Sequence, residues 1–279
     1  MCLIGLALDA HPRFALVIAA NRDEHFERPA AGLDWWQPGP DAPWLLAGRD
    51  LSAGGTWMGL SSQGRLAMLT NVRDPARHRA DAPSRGALVP AWLDSAAPAE
   101  SLWPALASRQ CNPYNLIGAD LRQGHWWWAD DRAPRPQPLA PGVHGLSNAS
   151  LGTPWPKVRR LEQAIEGALA DTDAAPALVE RLFDALADRG QAEDSDLPDT
   201  GIGLARERFL SPAFIAAPDG RYGTRCSTVL IGERRGEGWQ LSLTERSFDA
   251  LGRGVEERTI HLDGWPVTAR PPVQVTPLR

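Results

Sequence analysis

The chain has 279 residues, of which 43% are hydrophobic and 23% are charged, with 29 basic and 34 acidic residues. This balance is that of an ordinary globular protein and excludes a disordered chain or a collagen-like fibre. The net charge of −5 argues against a nucleic-acid binder and against a polybasic membrane anchor.

The first part of the chain predicts two hairpins. Apolar runs at 2–8 and 14–20 have strand character and are separated by a turn-like segment. A polar cluster, Asn21 to Glu24, is expected to end the second strand. Residues 30–43 are rich in Pro, Gly and Trp and predict an ordered loop. Strands over 57–61 and 65–71 then predict the second hairpin.

The rest of the chain predicts helices first and strands afterwards. Two helices are expected at 86–93 and 99–108. A third is expected to follow a cap at Thr153 and Pro154, and a fourth to contain the leucines at 178, 182 and 186. The expected strands are 115–120, 125–129, 226–232, 239–244 and 257–262. This order favours an α+β fold with antiparallel sheets. We expect residues 1–265 to form one domain and the Pro-rich tail 266–279 to run extended over its surface.

Several functional classes lack their motifs. The three cysteines form no C-x-x-C pair, and no H-E-x-x-H helix, G-x-G-x-x-G turn or Walker A loop occurs. No apolar stretch is long enough to span a bilayer, and the N-terminal run lacks the charged start of a leader. We therefore expect a cytoplasmic protein without a membrane span, a metal or a dinucleotide.

Cys2 is the most informative position. Cysteine is small enough for the initiator methionine to be removed, which would leave Cys2 with a free α-amine beside its thiol. The reference pKa values of these groups, about 8 and about 8.5, would give one residue a general base and a nucleophile. The alternative is a buried strand cysteine that acts as a small hydrophobe.

Further candidate residues lie at strand ends. If the first two strands pair antiparallel, Arg22 and Asp23 lie close to Cys2, where a carboxylate could orient the amine and a guanidinium could favour the thiolate. Asn71 and Asn148 could donate hydrogen bonds to an oxyanion. The alternatives are a solvated Arg–Asp turn and turn-forming asparagines. Arg225 opens the late hairpin and could equally be a surface residue.

Twelve tryptophans are many for this length. An alternating strand would place the rings of Trp126, Trp127 and Trp128 on both faces of a sheet. Core packing accounts for most such rings, although an aromatic pocket for a flat ligand is the alternative. His25, His78 and His144 could ligate iron or transfer protons, but isolated histidines are a weak indication of either role.

Eight motifs in chain order resemble the NRDE protein family, also called transport and Golgi organisation protein 2. The segments that carry the resemblance span residue 1 to about 262, and they are Met1-Cys2, Ala20-Asn21-Arg22-Asp23-Glu24, Gly55-Thr56-Trp57, Leu69-Thr70-Asn71, Gly145-Leu146-Ser147-Asn148, Thr153-Pro154-Trp155, Tyr222-Gly223-Thr224-Arg225 and Thr244-Glu245-Arg246-Ser247.

The resemblance implies an N-terminal nucleophile hydrolase type of fold, a four-layer αββα sandwich of two antiparallel sheets. It implies a catalytic set like that of choloylglycine hydrolases and penicillin V acylases, which here would be Cys2, Arg22, Asp23, Asn71, Asn148 and Arg225. Arg22 and Asp23 are adjacent, whereas the acylases space this pair differently. The family is also associated with haem trafficking and with lipid or acyl-CoA homeostasis.

Two functions therefore follow. The first is an amidohydrolase that cleaves a C–N bond of a small N-acyl substrate and requires no cofactor. The second is a non-catalytic carrier of haem or of a hydrophobic ligand in the same cleft. The glutaminase half of an amidotransferase also begins with Cys, but no residues remain here for a synthetase domain. The oligomeric state cannot be read from the sequence.

Overall fold

The computed structural model describes residues 2–267 and 269–278, with Cys2 described by its backbone alone. Two seven-stranded antiparallel sheets account for most of it. The first sheet contains, in spatial order, β10 (Gly142–Leu146), β1 (Cys2–Leu8), β2 (Leu16–His25), β11 (Tyr222–Arg235), β12 (Gly238–Phe248), β13 (Gly254–Trp265) and β14 (Gln274–Pro277). The second contains β3 (Ala30–Trp36), β4 (Leu45–Asp50), β5 (Met58–Ser61), β6 (Arg65–Asn71), β7 (Tyr114–Asp120), β8 (His125–Asp130) and β9 (Gln137–Pro138).

Five helices lie outside the sheets within the described residues: α1 (Leu88–Asp94), α2 (Ala99–Ala107), α3 (Pro156–Asp171), α4 (Ala175–Leu186) and α5 (Leu204–Phe209). One apolar core joins the facing surfaces of the two sheets. A second core lies between the first sheet and the pair α3–α4, and a third between the second sheet and the pair α1–α2. The layers thus run helix, sheet, sheet, helix, which confirms the αββα sandwich.

Alternation along the strands explains why both faces of each sheet are apolar. In β1, Ile4 and Leu6 belong to the core between the sheets, whereas Leu3 and Ala7 pack under α3 and α4. Successive side chains of a strand point to opposite faces, so a strand covered on both sides reads as a continuous apolar run. The tryptophans of β8 follow the same rule.

The polar cluster that was expected to end the second strand lies inside it. β2 extends to His25, and Asn21 to Glu24 pair with β11 on one side. A sequence pattern cannot reveal this, because polar residues inside a strand are tolerated only where tertiary partners satisfy them. The prediction that the strand ends before this cluster is therefore wrong, and so is the alternative of a solvated turn, although the antiparallel pairing of the first two strands is correct.

The loop predicted over residues 30–43 is also wrong in its first half. Ala30–Trp36 forms β3, which pairs with β4, a strand that the sequence did not predict. Leu33 is buried, and its N–H donates to the Glu245 carboxylate at 2.7 Å. Burial and this partner from the other sheet hold the segment extended. The expected helix cap at Thr153 and Pro154 lies before the helix, which begins at Pro156.

The Pro-rich tail contributes an edge strand. Gln274–Pro277 pairs with β13, and all four of its residues are exposed. The domain boundary at residue 265 stays a prediction. None of the described helices is both long enough and apolar enough to cross a membrane.

Candidate functional site

Several strand ends meet at one edge of the first sheet. β1 runs antiparallel to β2, and Cys2 lies opposite Arg22. β2 runs antiparallel to β11, and Asp23 lies opposite Thr224. The start of β1, the end of β2 and the start of β11 are therefore neighbours, as the hairpin prediction required. The side chain of Cys2 lies outside the described residues.

Asn21 has a structural role in the polar cluster. Its side chain is 1% exposed, and its Nδ2 donates to the carbonyl oxygens of Leu186 at 2.8 Å and of Ala213 at 2.9 Å. Its Oδ1 accepts a hydrogen bond from Ser227 Oγ at 2.6 Å. Asn21 thus joins β2 to the end of α4 and to the segment that follows α5, which fixes the strand beside Cys2.

Asp23 is a buried carboxyl group, 1% exposed. Thr224 Oγ1 donates to Asp23 Oδ1 at 2.8 Å and accepts the N–H of Ile215 at 2.9 Å, so the hydroxyl is oriented toward the carboxyl. Burial raises the pKa of Asp23, and the positive charge of Lys157 acts in the opposite direction. The proton affinity of Asp23 is thus set by burial and by a buried cation.

Lys157, the only lysine of the chain, is a functional candidate that sequence reasoning missed. It is 2% exposed in the first turn of α3, and its Nζ donates to the carbonyl oxygen of Leu210 at 3.0 Å. A second buried cation, Arg73, forms an ion pair with Glu207. The only signal in the sequence was that a lysine stands alone among arginines next to the Thr153-Pro154-Trp155 motif.

Arg22 lies at the base of a cleft with its guanidinium over the Trp57 ring, 4.2 Å from the ring centroid. Its side chain is buried, and the residue is 5% exposed. The indole of Trp57 packs against Gly48, where a Cβ atom would come within 2.3 Å of the ring. Because Gly48 has no side chain, the Trp57 ring can pack against it and lie beneath the Arg22 guanidinium.

The two candidate asparagines come together but play different parts. Asn148 is buried, and its Nδ2 donates to the main-chain oxygen of Asn71 at 2.8 Å. The main-chain oxygen of Asn148 accepts the N–H of Arg73 at 2.7 Å. Asn148 thereby ties the segment after β10 to the end of β6 in the other sheet. Asn71 itself is one of the residues that line the cleft.

Arg225 lies beside the cleft and is not among the described residues that line it. It is the extra residue of a β-bulge between Thr224 and Cys226, which redirects its side chain. Its Nη1 donates to the carbonyl oxygens of His25 and Arg28, both at 2.9 Å. Burial and the charge of Arg22 lower the pKa of Arg225. Arg225 fixes the turn after β2.

The cleft has a volume of about 270 Å³ and a mostly polar lining. Arg22, Asp23, Trp57 and Asn71 all contribute to it, together with Arg28, which forms an ion pair with Asp50 at 2.7 Å. Among the residues that the structure describes, no group of three or more His, Cys, Asp or Glu side chains could hold a metal ion. The arrangement offers a cation, a buried carboxyl and an amide donor around one small volume.

The fold and the cleft at the start of β1 define a class of proteins: αββα sandwiches in which the first strand begins beside a polar cleft. A profile described as transport and Golgi organisation 2 matches residues 1–250. The chain belongs to this family, as the sequence motifs indicated.

The relatives cover nearly the whole chain. The transport and Golgi organization 2 homolog of Mus musculus is 33% identical over 268 residues, which are 89% of this chain and 93% of that protein. The Homo sapiens homolog is 32% identical over 268 residues, with the same shares.

Two solved structures are similar at lower identity. One is an N-acylethanolamine-hydrolyzing acid amidase ortholog of Caenorhabditis elegans, at 12% identity and a TM-score of 0.45, with 82% of this chain and 92% of that chain covered. The other is a conjugated bile acid hydrolase of Clostridium perfringens, at 10% identity and a TM-score of 0.44, with 86% and 91% covered. Both TM-scores are below 0.5, and the family assignment does not depend on them.

Proposed function

We propose that the protein is an N-terminal-cysteine hydrolase that cleaves a non-peptide C–N bond of a small N-acyl substrate. The observation that carries this proposal is the strand register: Cys2 pairs with Arg22, and the next residue of β2 is the buried Asp23. A nucleophile, a cation and a carboxyl group then meet at the edge of a cleft of substrate size.

The chemistry requires a free α-amine on Cys2 and therefore the removal of Met1. The amine accepts the thiol proton while Sγ attacks the carbonyl carbon, so that an S–C bond forms. The C–N bond then breaks, and the proton passes to the leaving amine. Water attacks the thioester, which releases the carboxylic acid and restores the thiol.

The other site residues support these steps. Asp23 orients the α-amine; burial raises the pKa of Asp23, and the positive charge of Lys157 opposes that rise. The Asn71 amide donates to the oxyanion. The Asn148 side chain holds Asn71 in place by donating a hydrogen bond to the main-chain oxygen of Asn71. Asn148 and Arg225 are positioning residues in this proposal, because their hydrogen bonds go to main-chain oxygens.

The test is turnover of a panel of N-acyl substrates by the wild type and by Cys2→Ala. We expect the variant to lose activity by a factor of about 10³ or more, since no other group supplies the nucleophile. Cys111→Ala is the matched control, because burial raises the pKa of the Cys111 thiol and leaves it a poor nucleophile. Turnover by Cys2→Ala that equals the wild type would contradict the proposal.

The alternative is a carrier of haem or of a lipid or acyl-CoA ligand, which uses the cleft without chemistry. Its support is the family association and the relatives' names, which refer to transport and Golgi organization. The polar lining and small volume of the cleft weigh against it, and Trp57 is the one tryptophan among the described lining residues. Saturating haemin binding that Cys2→Ala retains, without any turnover, would favour the carrier.

A further inference from the structure

The Arg22 guanidinium donates no hydrogen bond to another side chain or carbonyl oxygen within the described part of the chain. Its contact with Trp57 is a cation–π interaction, which attracts the charge but accepts none of the guanidinium N–H groups. Among the described residues no carbonyl oxygen and no carboxylate pairs with it. A guanidinium that is 95% buried is costly to keep without such a partner, so a hydrogen-bond acceptor on a ligand would stabilise it.

The neighbouring arginines differ from Arg22 in this respect. Arg28 and Arg85 line the same cleft, but Arg28 pairs with Asp50 at 2.7 Å and Arg85 Nη1 donates to the carbonyl oxygen of Pro113 at 3.0 Å. Arg22 is therefore the cation of the described lining whose donors are available to a ligand.

The acidic residues of the lining limit where a second anion could sit. Asp50 is paired with Arg28, and the Glu24 carboxylate accepts the N–H of His25 at 2.9 Å. Asp23 accepts the hydroxyl of Thr224. The negative charges of Asp50 and Glu24 disfavour an anion that approaches from their side of the cleft. An anionic group of a ligand is thus directed to Arg22.

A carboxylate is the anion that best fits a guanidinium. Its two oxygens accept two parallel N–H groups in one plane, which a thiolate or a single oxyanion cannot do. The cleft volume of about 270 Å³ is at the lower end of the range for small-molecule sites. Thr56, Asn71 and Asn112 add polar groups to the lining and disfavour a long acyl chain.

We infer that the cleft takes a small amide substrate that carries a carboxylate, and that Arg22 binds this carboxylate bidentately beside Cys2. That the ligand is a substrate rests on the proposed hydrolase function. Carboxylate binding by Arg22 does not, and it can be measured without turnover.

The experiment measures binding to the full-length Cys2→Ala protein. N-acetylglycine and N-acetylalanine are each compared with the corresponding primary amide, which has the same shape and no charge, by saturation-transfer NMR titration. We expect each carboxylate to bind at least about tenfold more tightly than its amide. Arg22→Gln on the same background should abolish this preference, and the matched control Arg85→Gln should retain it.

Arg22→Lys keeps the charge over Trp57 but loses the planar pair of donors, so it should retain only part of the preference. If Arg22→Gln does not fold, the carboxylate preference of Arg22→Lys tests the inference instead. Equal affinity for acids and amides, no binding of either acid, or a preference that persists without Arg22 would each overturn the inference.

The failures of the two proposals can be told apart. Carboxylate binding that depends on Arg22, without Cys2-dependent turnover of any N-acyl substrate, supports this inference and contradicts the hydrolase. Cys2-dependent turnover of neutral amides at the rate of their carboxylate counterparts supports the hydrolase and contradicts this inference.

Discussion

Glu245 is a buried carboxyl group that links the two sheets. It is 2% exposed in β12, and its Oε1 accepts the N–H of Leu33 in β3 at 2.7 Å. Its Oε2 accepts the hydroxyl of Thr228 at 3.3 Å. Burial raises the pKa of Glu245, since these hydrogen bonds only partly offset the loss of hydration.

This raised pKa gives a pH dependence of known sign. Between the ordinary pKa of a glutamate and the raised value, the native state binds more protons than the unfolded state, so the free energy of unfolding falls as the pH rises. Glu245→Gln keeps the acceptor for Leu33 and cannot ionise, so its free energy of unfolding should fall less than that of the wild type over this pH window.

Urea unfolding at a series of pH values above 4 measures this difference, with the exposed Glu237→Gln as the matched control. An unchanged pH dependence in Glu245→Gln would show that Glu245 does not keep its raised pKa in the folded protein.

At the scale of elements, a pair of glycines sets the distance between α3 and the first sheet. Gly5 of β1 and Gly145 of β10 lie directly opposite each other in the strand register. A Cβ atom on Gly5 would come within 2.4 Å of Ile165 Cδ1, and one on Gly145 within 2.5 Å of Val158 Cγ1. Helix α3 therefore packs directly against the backbone of β1 and β10 at these two glycines.

Gly5→Ala should lower the free energy of unfolding by about 1–3 kcal/mol, because the added methyl displaces Ile165 and Leu161. Gly167→Ala, within α3 itself, is the control. Gly167 is exposed, and nothing lies within 4 Å of the point that an added methyl group would occupy, so this substitution should stabilise α3 by about 0.5–1 kcal/mol. Equal effects of the two substitutions would contradict the close packing of α3.

The elements also show what a local pattern can predict. The strand predicted at Cys2–Leu8 is confirmed, because a strand with apolar contacts on both faces appears in the sequence as a continuous apolar run. The end of β2 and the whole of β3 were missed because their polar or Pro- and Gly-rich segments are held by distant partners. Asn21 reaches Leu186 and Ala213, and Leu33 reaches Glu245. Such contacts leave no trace in local periodicity.

At the scale of the molecule, the candidate site forms where both sheets end. The pairing of Cys2 with Arg22 follows from one hairpin, so the sequence could predict it. Asn71 ends β6 of the second sheet, and Asn148 follows β10 of the first sheet. Both were proposed as amide donors from their positions near strand ends, and the family resemblance supported that choice. Lys157 and Glu207 depend on how α3 and the segment around α5 pack over the sheet edge, which no short-range pattern encodes.

The central claim is that Cys2 is an N-terminal nucleophile, and the intact mass of the natively expressed protein tests it most directly. The mass is measured before and after incubation with an activated N-acyl ester. The account predicts that Met1 is absent and that one acyl group is added to the peptide that begins at Cys2, in the wild type and not in Cys2→Ala. Retention of Met1, or an acyl group that appears equally in Cys2→Ala, would contradict it.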